Sequence, residues 1–159
     1  MTSTAILPPV IGDAAPDFVL ASTAGDTVTL SALRGVTNVL IAFFPLAFTG
    51  VCTAEVCAFS EDFDRFASAN VRVLPISVDA VPSLKEFKAK YAMQVDLLSD
   101  FKREASRAYG VLRDDTFFSN RAYFLIDKTG VVRWAHVEAS PGQRRENAEI
   151  LAEIAKLAD

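Results

Sequence analysis

Apolar positions along the chain fall into short continuous runs and into stretches with a helical period. Three runs, 38–44, 71–78 and 122–127, are rich in β-branched and aromatic residues and carry few charges. Runs of this kind predict strands that are buried on both faces of a sheet. A fourth run, 131–137, follows the turn at 128–130 and predicts an antiparallel hairpin partner for the run before it.

The remaining pattern predicts an N-terminal hairpin and four helices. Residues 15–20 and 27–30 suit two short strands around a turn at Gly25-Asp26. Helical periodicity covers residues 52–69, 82–92, about 102–109, and 143–158. Alternation of strands with helices predicts an α/β fold, in which helices cover both faces of a mixed central sheet. A chain of 159 residues fits a single domain, 1–159.

Composition narrows the functional classes. The net charge of -4 argues against a nucleic-acid partner, because no cluster of basic residues is present to neutralise phosphates. The longest nearly apolar run, 39–48, contains Pro45 and is shorter than the roughly 18 residues of a membrane span, so no membrane insertion is expected. Residues 1–12 lack Lys and Arg and do not resemble a secretory signal, which favours a cytoplasmic location.

The two cysteines occupy different faces of the first predicted helix. In a reducing compartment such cysteines are more often catalytic, metal-binding or inert than joined in a permanent disulfide. One apolar stripe is predicted to face the sheet, and its members are Cys52, Val56, Phe59, Phe63 and Phe66. At 100° per residue, Cys57 lies about 140° from Cys52, on the polar side of the helix with Glu61 and Asp64.

Cys52 is a candidate nucleophile because a helix is predicted to begin there. Free backbone N–H groups and the positive end of the helix dipole favour a thiolate over a thiol. The alternative is a buried, inert cysteine. Thr49, three residues earlier, places a hydroxyl at the same helix start, where it can also act as an ordinary N-cap.

Residues 45–52, PLAFTGVC, followed by TAEVC, resemble the active-site loop of the peroxiredoxins, thiol peroxidases with a thioredoxin fold. The resemblance continues in family order along most of the chain. The matching segments are APDFVL at 15–20, ISVD at 76–79, LLSD at 97–100, AYGV at 108–111 and RAYFLIDKTGVVR at 121–133.

The resemblance implies reduction of hydrogen peroxide and organic hydroperoxides, and it assigns roles to particular residues. Cys52 would be the peroxidatic cysteine, oxidised to a sulfenic acid. The implied supporting roles are peroxide binding by Thr49, shielding of the thiolate by Pro45, a positive charge from Arg121, orientation of that arginine by Glu55, and backbone N–H donation by Val51 and Cys52. Without the family, Arg121 reads as a solvated residue at a strand start, and Glu55 as an acidic residue in a first helical turn.

Two subfamilies imply different fates for the sulfenic acid. The Cys-x-x-x-x-Cys spacing resembles the Q-type, or bacterioferritin-comigratory, peroxiredoxins, in which Cys57 would resolve it as an intrachain disulfide. The phrase PLAFTG is closer to the E-type branch, in which many members use one cysteine and an external thiol. On an intact helix, Cα atoms five residues apart are about 8.7 Å apart, whereas a disulfide tolerates at most about 7 Å. The Q-type mechanism therefore requires the first helical turn to unwind.

Partners and rival functions follow from the same residues. The resemblance implies recycling by thioredoxin or a glutaredoxin-like donor, no haem or flavin, and either a monomer or a homodimer formed through the Thr49 loop and the 82–92 region. Cys52, Cys57 and His136 make a poor zinc site, so no metal is expected. A general thiol-disulfide oxidoreductase is disfavoured because no Cys-x-x-Cys motif is present. A redox-sensing interaction module or holdase is the rival from a non-enzymatic class.

Overall fold

The computed structural model describes residues 6–157 and contains one mixed sheet with helices on both sides. The strands are β1 (Val19–Ser22), β2 (Thr27–Thr29), β3 (Asn38–Phe43), β4 (Val71–Ser77), β5 (Leu98–Ser99), β6 (Ala122–Ile126) and β7 (Val132–Val137). The helices are α1 (Gly50–Glu61), α2 (Phe63–Ser68), α3 (Val81–Lys90), α4 (Glu104–Ala108) and α5 (Asn147–Ile154), with a 3-10 helix at Leu30–Leu33. The strand order across the sheet is β2-β1-β5-β4-β3-β6-β7.

The central strand β3 is buried along its whole length, as its apolar sequence predicts. It pairs in parallel with β4 and antiparallel with β6, so that Phe43 lies opposite both Ile76 and Ala122. Alternate β3 side chains enter two separate apolar clusters on the two faces of the sheet. The predictions of strands at 38–44, 71–78 and 122–127 are confirmed, as is the β6–β7 hairpin.

Helices cover both faces of the sheet, which confirms the predicted α/β architecture. Helices α1, α2, α3 and α5 contribute to one apolar cluster, through residues such as Phe59, Phe87 and Ile150. Helix α4 and the 3-10 helix cover the opposite face, through Ala105 and Leu30. Cys52 belongs to the first of these clusters, so the candidate nucleophile lies between α1 and the sheet.

The N-terminal hairpin is present, but its first strand begins later than predicted. Strands β1 and β2 pair antiparallel around a turn in which Gly25 has a positive φ of 95°, a conformation that glycine adopts without steric cost. The prediction of a strand at 15–20 is wrong for its first four residues. Asp17 Oδ1 accepts hydrogen bonds from the N–H groups of Phe18 and Ser31, and this anchors the segment as a loop.

Helical periodicity overestimated several helix lengths. The predicted helix at 52–69 is interrupted at Asp62, where ψ is 17°, and continues as the separate helix α2. The break turns Phe63 away from the sheet, and 39% of its surface is exposed, so its predicted place on the buried stripe is wrong. Helix α5 begins only at Asn147 rather than at 143. Strand β5 was not predicted, because two residues carry no detectable period.

Hydropathy within the helices gives no indication of membrane insertion. Across residues 6–157, every helix is too short or too polar to cross a bilayer.

Candidate active site

The loop that leads into α1 is held by the end of strand β4. The chain leaves β3 at Phe43, and Pro45 is buried at the start of the connection. Asp79, which follows β4, accepts hydrogen bonds from the backbone N–H of Ala47 at 2.8 Å and from the hydroxyl of Ser77 at 2.7 Å. This carboxylate therefore fixes the loop directly before the candidate nucleophile.

Helix α1 begins with free backbone donors beside Cys52. The first intrahelical hydrogen bond runs from Thr53 N–H to Thr49 O at 2.8 Å. Within the described part of the chain, the N–H groups of Val51 and Cys52 have no acceptor, as expected for a first helical turn. Thr49 occupies the N-cap position but does not cap the helix with its side chain, because its hydroxyl donates to Leu46 O at 2.7 Å.

Cys52 and Arg121 are in direct contact. The Cys52 side chain lies in the first turn of α1, and the residue is only 2% exposed. Arg121 Nη2 lies 3.1 Å from Cys52 Sγ and also donates to Pro141 O at 3.0 Å. Arg121 is 1% exposed, so its interpretation as a solvated arginine is wrong. A guanidinium is always charged in proteins, so Arg121 places a positive charge directly beside the Cys52 sulfur.

Glu55 holds the other side of the guanidinium. Its Oε1 accepts from Arg121 Nη1 at 2.9 Å, and its Oε2 accepts from the hydroxyl of Tyr123. Burial raises the pKa of the Glu55 carboxyl, against the opposing influence of Arg121 and the Tyr123 hydrogen bond. The carboxyl is thus a buried partner of Arg121 rather than a surface residue in a helical turn.

The geometry follows from two simple periodicities. On α1, Glu55 and Val56 lie three and four residues after Cys52 and therefore share its face. Along β6 and the residue before it, Arg121 and Tyr123 are two residues apart and point to the same face of the sheet. That face packs against α1. Sequence reasoning missed Tyr123, although its spacing from Arg121 was the available signal.

The surroundings of Cys57 are less polar than predicted. It lies on the far side of α1 from Cys52, but it is half-buried and packs against the apolar cluster. Burial and, to a smaller extent, the charge of Glu61 raise the pKa of the Cys57 thiol. Both cysteines are free thiols in this structure. A raised thiol pKa makes Cys57 a poorer competitor for an oxidant than an ordinary cysteine.

An open groove gives access to the first turn of α1. Its volume is about 530 Å³, and it is lined by Gly50, Val51, Ala54 and the segment 142–146. His136, the third residue of the zinc arrangement considered above, instead contacts Glu138 Oε1 at 2.8 Å and stacks on Trp134. Within residues 6–157, no three His, Cys, Asp or Glu side chains are grouped as metal ligands.

Known proteins resemble this chain in sequence and in fold. The AhpC/TSA family matches residues 11–135. Alkyl hydroperoxide reductase E of Mycobacterium tuberculosis is 37% identical over 138 residues, which cover 86% of this chain and 90% of that protein. Chloroplastic peroxiredoxin Q of Oryza sativa is 36% identical over 126 residues, which cover 79% of this chain and 58% of that protein. The reduced 2-Cys peroxiredoxin of Plasmodium vivax superposes with a TM-score of 0.85 at 34% identity, covering 93% of this chain and 81% of that one.

These similarities agree with a buried cysteine at a helix start and an arginine against its sulfur. The chain therefore belongs to the AhpC/TSA family and is a peroxiredoxin, a thiol-dependent peroxidase with a thioredoxin fold.

Proposed function

We propose that Cys52 is the peroxidatic cysteine and that it reduces hydrogen peroxide and organic hydroperoxides. The observation that carries this assignment is the 3.1 Å contact between Cys52 Sγ and Arg121 Nη2, two side chains that are both buried. The thiolate attacks one peroxide oxygen, an S–O bond forms and the O–O bond breaks. The departing oxygen takes up a proton and leaves as water or an alcohol, and Cys52 becomes a sulfenic acid.

Preorganised donors supply most of the rate. An ordinary thiol with a pKa of about 8.5 is about 3% ionised at pH 7, so complete ionisation raises its reactivity by only about 30-fold. The N–H groups of Val51 and Cys52 and the Arg121 guanidinium are the donors that we assign to the breaking O–O bond. The Thr49 hydroxyl donates its hydrogen to Leu46 O, so we assign its oxygen to accept a hydrogen bond from the peroxide O–H. Pro45, buried in the same loop, is assigned to exclude water.

We further propose that Cys57 resolves the sulfenic acid as an intrachain disulfide. The Cys57 thiolate attacks the Cys52 sulfur, an S–S bond forms and the S–O bond breaks, and the departing hydroxide takes up a proton and leaves as water. The first turn of α1 has to unwind for this step, so that the Cys52 sulfur can reach Cys57, whose thiol pKa is raised by burial and by the Glu61 charge. Thioredoxin, or second a glutaredoxin-like donor, then supplies two electrons to reduce the disulfide.

A single-cysteine mechanism is the second candidate, and one observation favours it. Cys57 packs against the apolar cluster, which is also compatible with a purely structural role. In that case an external thiol attacks the Cys52 sulfenic acid directly. The similarity to both alkyl hydroperoxide reductase E and peroxiredoxin Q is compatible with either route.

Separate replacement of the two cysteines distinguishes these routes. We expect Cys52→Ser to abolish peroxide consumption in an assay with thioredoxin, thioredoxin reductase and NADPH. We expect Cys57→Ser to retain the first oxidation of Cys52 but to lose most thioredoxin-dependent turnover. A fully active Cys57→Ser enzyme would assign the protein to the single-cysteine mechanism, and an active Cys52→Ser enzyme would refute the proposed site.

For the oligomeric state, we propose a loop-side homodimer rather than a monomer. Phe48 and Tyr91 are 49% and 38% exposed on the loop side, and both pack against Phe87. Exposed aromatic side chains at one site are typical of a protein interface. Sedimentation equilibrium is expected to give twice the monomer mass for the wild-type protein and the monomer mass for Phe48→Asp. A concentration-independent wild-type monomer would contradict the dimer.

A further inference from the structure

The hydroxyl of Tyr123 joins two groups by hydrogen bonds, and the reaction described above gives this hydroxyl no role. It donates to Glu55 Oε2 and accepts from the backbone N–H of Arg145 at 2.9 Å. The residue is completely buried. One oxygen atom therefore connects the carboxyl that faces Arg121 with a segment that lies outside any helix or strand.

Both groups that hold Arg121 depend on the Tyr123 hydroxyl. On one side, Glu55 uses its two oxygens to accept from Arg121 and from Tyr123, so the Tyr123 hydroxyl fixes the orientation of the carboxyl. On the other side, Pro141 O accepts from Arg121 Nη2 at 3.0 Å, four residues before Arg145 in the same segment. The N–H of Arg145 ties that segment to Tyr123.

A second anchor limits how far the segment could move. Arg145 Nε donates to Glu138 Oε2 at 2.9 Å, and Glu138 N–H donates to Arg121 O at 2.9 Å. Loss of the Tyr123 hydroxyl would therefore loosen the support of Arg121 without releasing it. The expected effect on the reaction is moderate rather than complete.

The hydroxyl acts as a hydrogen-bonding group and not as a base or a nucleophile. Burial, reinforced by the charge of Glu55, raises the pKa of Tyr123 well above its ordinary range, so the phenol stays neutral. The ring itself packs near Trp134, with ring centroids 6.0 Å apart, and phenylalanine could provide that packing equally well. Packing alone thus does not account for the buried hydroxyl, which needs two partners and has them.

We propose that Tyr123 is a positioning residue for peroxide reduction, because its hydroxyl orients Glu55 and the 141–145 segment so that the Arg121 guanidinium stays against the Cys52 sulfur. This inference rests on the roles proposed above for Cys52 and Arg121. Tyr123 does not touch the reacting atoms, and it acts only through Glu55 and Pro141.

Tyr123→Phe tests the proposal, and Tyr109→Phe is its matched control. Tyr109 is equally buried, but it lies in the apolar cluster on the opposite face of the sheet and donates to Pro16 O at 2.7 Å. Quenched-flow oxidation by hydrogen peroxide, with the remaining Cys52 thiol alkylated and counted by mass spectrometry, gives the second-order rate constant. We expect Y123F to lower it by about tenfold, since a hydrogen bond to a charged group is lost, and Y109F to change it by less than about twofold.

Two further readouts separate positioning from a loss of structure. The pH profile of the oxidation rate should move to higher pH in Y123F and stay in place in Y109F, because a loosened guanidinium stabilises the thiolate less. In a Glu55→Gln background, Y123F should cost clearly less than the tenfold it costs in the wild-type protein, because the route through the Glu55 carboxylate is already lost and only the route through the 141–145 segment remains. In the Glu55→Gln background there is no carboxylate that Y123F could leave without a hydrogen-bond partner. This comparison therefore tests the proposal even if Y123F alone does not fold.

The outcomes are distinct from those that test the proposed function. A wild-type rate no higher than that of free cysteine would refute the role of Cys52 itself. A fast wild-type protein, with Y123F within about twofold of it or matched by Y109F, would overturn the role of Tyr123. An undiminished tenfold loss on adding Y123F to Glu55→Gln would overturn the proposed action through Glu55, because removal of the carboxylate would then make no difference to the effect of the hydroxyl.

Discussion

At the scale of single residues, the site depends on a buried arginine whose three hydrogen bonds run to Glu55, Cys52 and Pro141. A planar guanidinium can direct donors to several acceptors at fixed angles, whereas a lysine ammonium is a single point charge. The positive charge alone is therefore only part of what Arg121 contributes. Its fixed geometry keeps the donor on Nη2 beside the sulfur.

Arg121→Lys tests whether geometry or charge dominates. We expect the second-order rate of Cys52 oxidation to fall by about 10- to 100-fold, because one or two hydrogen bonds to charged groups are lost while the charge remains. Arg133→Lys is the matched control, since Arg133 is 48% exposed and pairs with Asp127 away from the site. Stopped-flow oxidation by hydrogen peroxide measures both. An Arg121→Lys rate within twofold of the wild-type rate would show that charge alone suffices.

The site residues of the active-site loop could be predicted from the sequence more easily than the distant side chains that contact them. The positions of Cys52, Thr49 and Pro45 could be read from a local stretch of sequence, because a loop and a helix start place neighbouring residues together. The contact between Arg121 and Cys52 joins residues 69 positions apart, and it depends on the register of β6 against β3. Only the family resemblance indicated it. Tyr123 had neither a local motif nor a family role to mark it.

At the scale of elements, the first turn of α1 both holds the reduced site and has to open for the proposed disulfide. Glu55 lies between Cys52 and Cys57, so unwinding this turn also withdraws its carboxyl from Arg121 and Tyr123. The local stability of the turn should therefore control how fast the disulfide forms after the sulfenic acid appears.

Ala54→Gly lowers that local stability without touching the buried contacts. Ala54 is an exposed residue within α1, and glycine there costs about 1 kcal/mol of helix stability. We expect disulfide formation after a peroxide pulse to accelerate by up to about fivefold. Rapid acid quenching, with mass mapping of the disulfide-linked Cys52–Cys57 peptide, measures the rate of disulfide formation. Ala89→Gly, at an exposed site in α3, is the control and should leave the rate of disulfide formation unchanged. If Ala54→Gly, Ala89→Gly and the wild-type protein all form the disulfide at the same rate, unwinding of α1 is not rate-limiting.

The β6–β7 turn depends on a single carboxylate. Asp127 accepts hydrogen bonds from Thr129, Val131 and Arg133. Burial opposes its ionisation, but these hydrogen bonds outweigh burial and lower the pKa of Asp127 from 3.8 to about 2. Its contribution to the free energy of unfolding is therefore complete above the unfolded value near pH 4, and it is lost as the pH falls through about 2.

Asp127→Asn should remove this pH-dependent stability. We expect the free energy of unfolding at pH 7 to fall by about 2 kcal/mol, and the deficit at pH 3 to be about half as large. Urea unfolding at the two pH values measures the difference. Asp115→Asn is the control, because Asp115 is an exposed residue and should contribute little at either pH. An Asp127→Asn deficit that does not depend on pH would refute the ionic contribution.

At the scale of the whole molecule, the central architecture was predictable because long buried strands have a clear apolar signature. β3, β4 and β6 lie where their continuous apolar runs predict them. The details that failed are set by tertiary contacts: the Asp17 hydrogen bonds delay β1, and the two-residue strand β5 exists only because β1 and β4 flank it. The helix break at Asp62 could not be predicted either, because the apolar period in the sequence continues across it.

The proposed function depends on rapid attack of the Cys52 sulfur on a peroxide bond. The most direct measurement is the second-order rate constant for oxidation of Cys52 by hydrogen peroxide at neutral pH, in the Cys57→Ser protein, followed by stopped-flow fluorescence of Trp134. We predict a rate at least about 10³ times that of free cysteine, because several fixed donors stabilise the departing oxygen. A rate equal to that of free cysteine would contradict the proposed function.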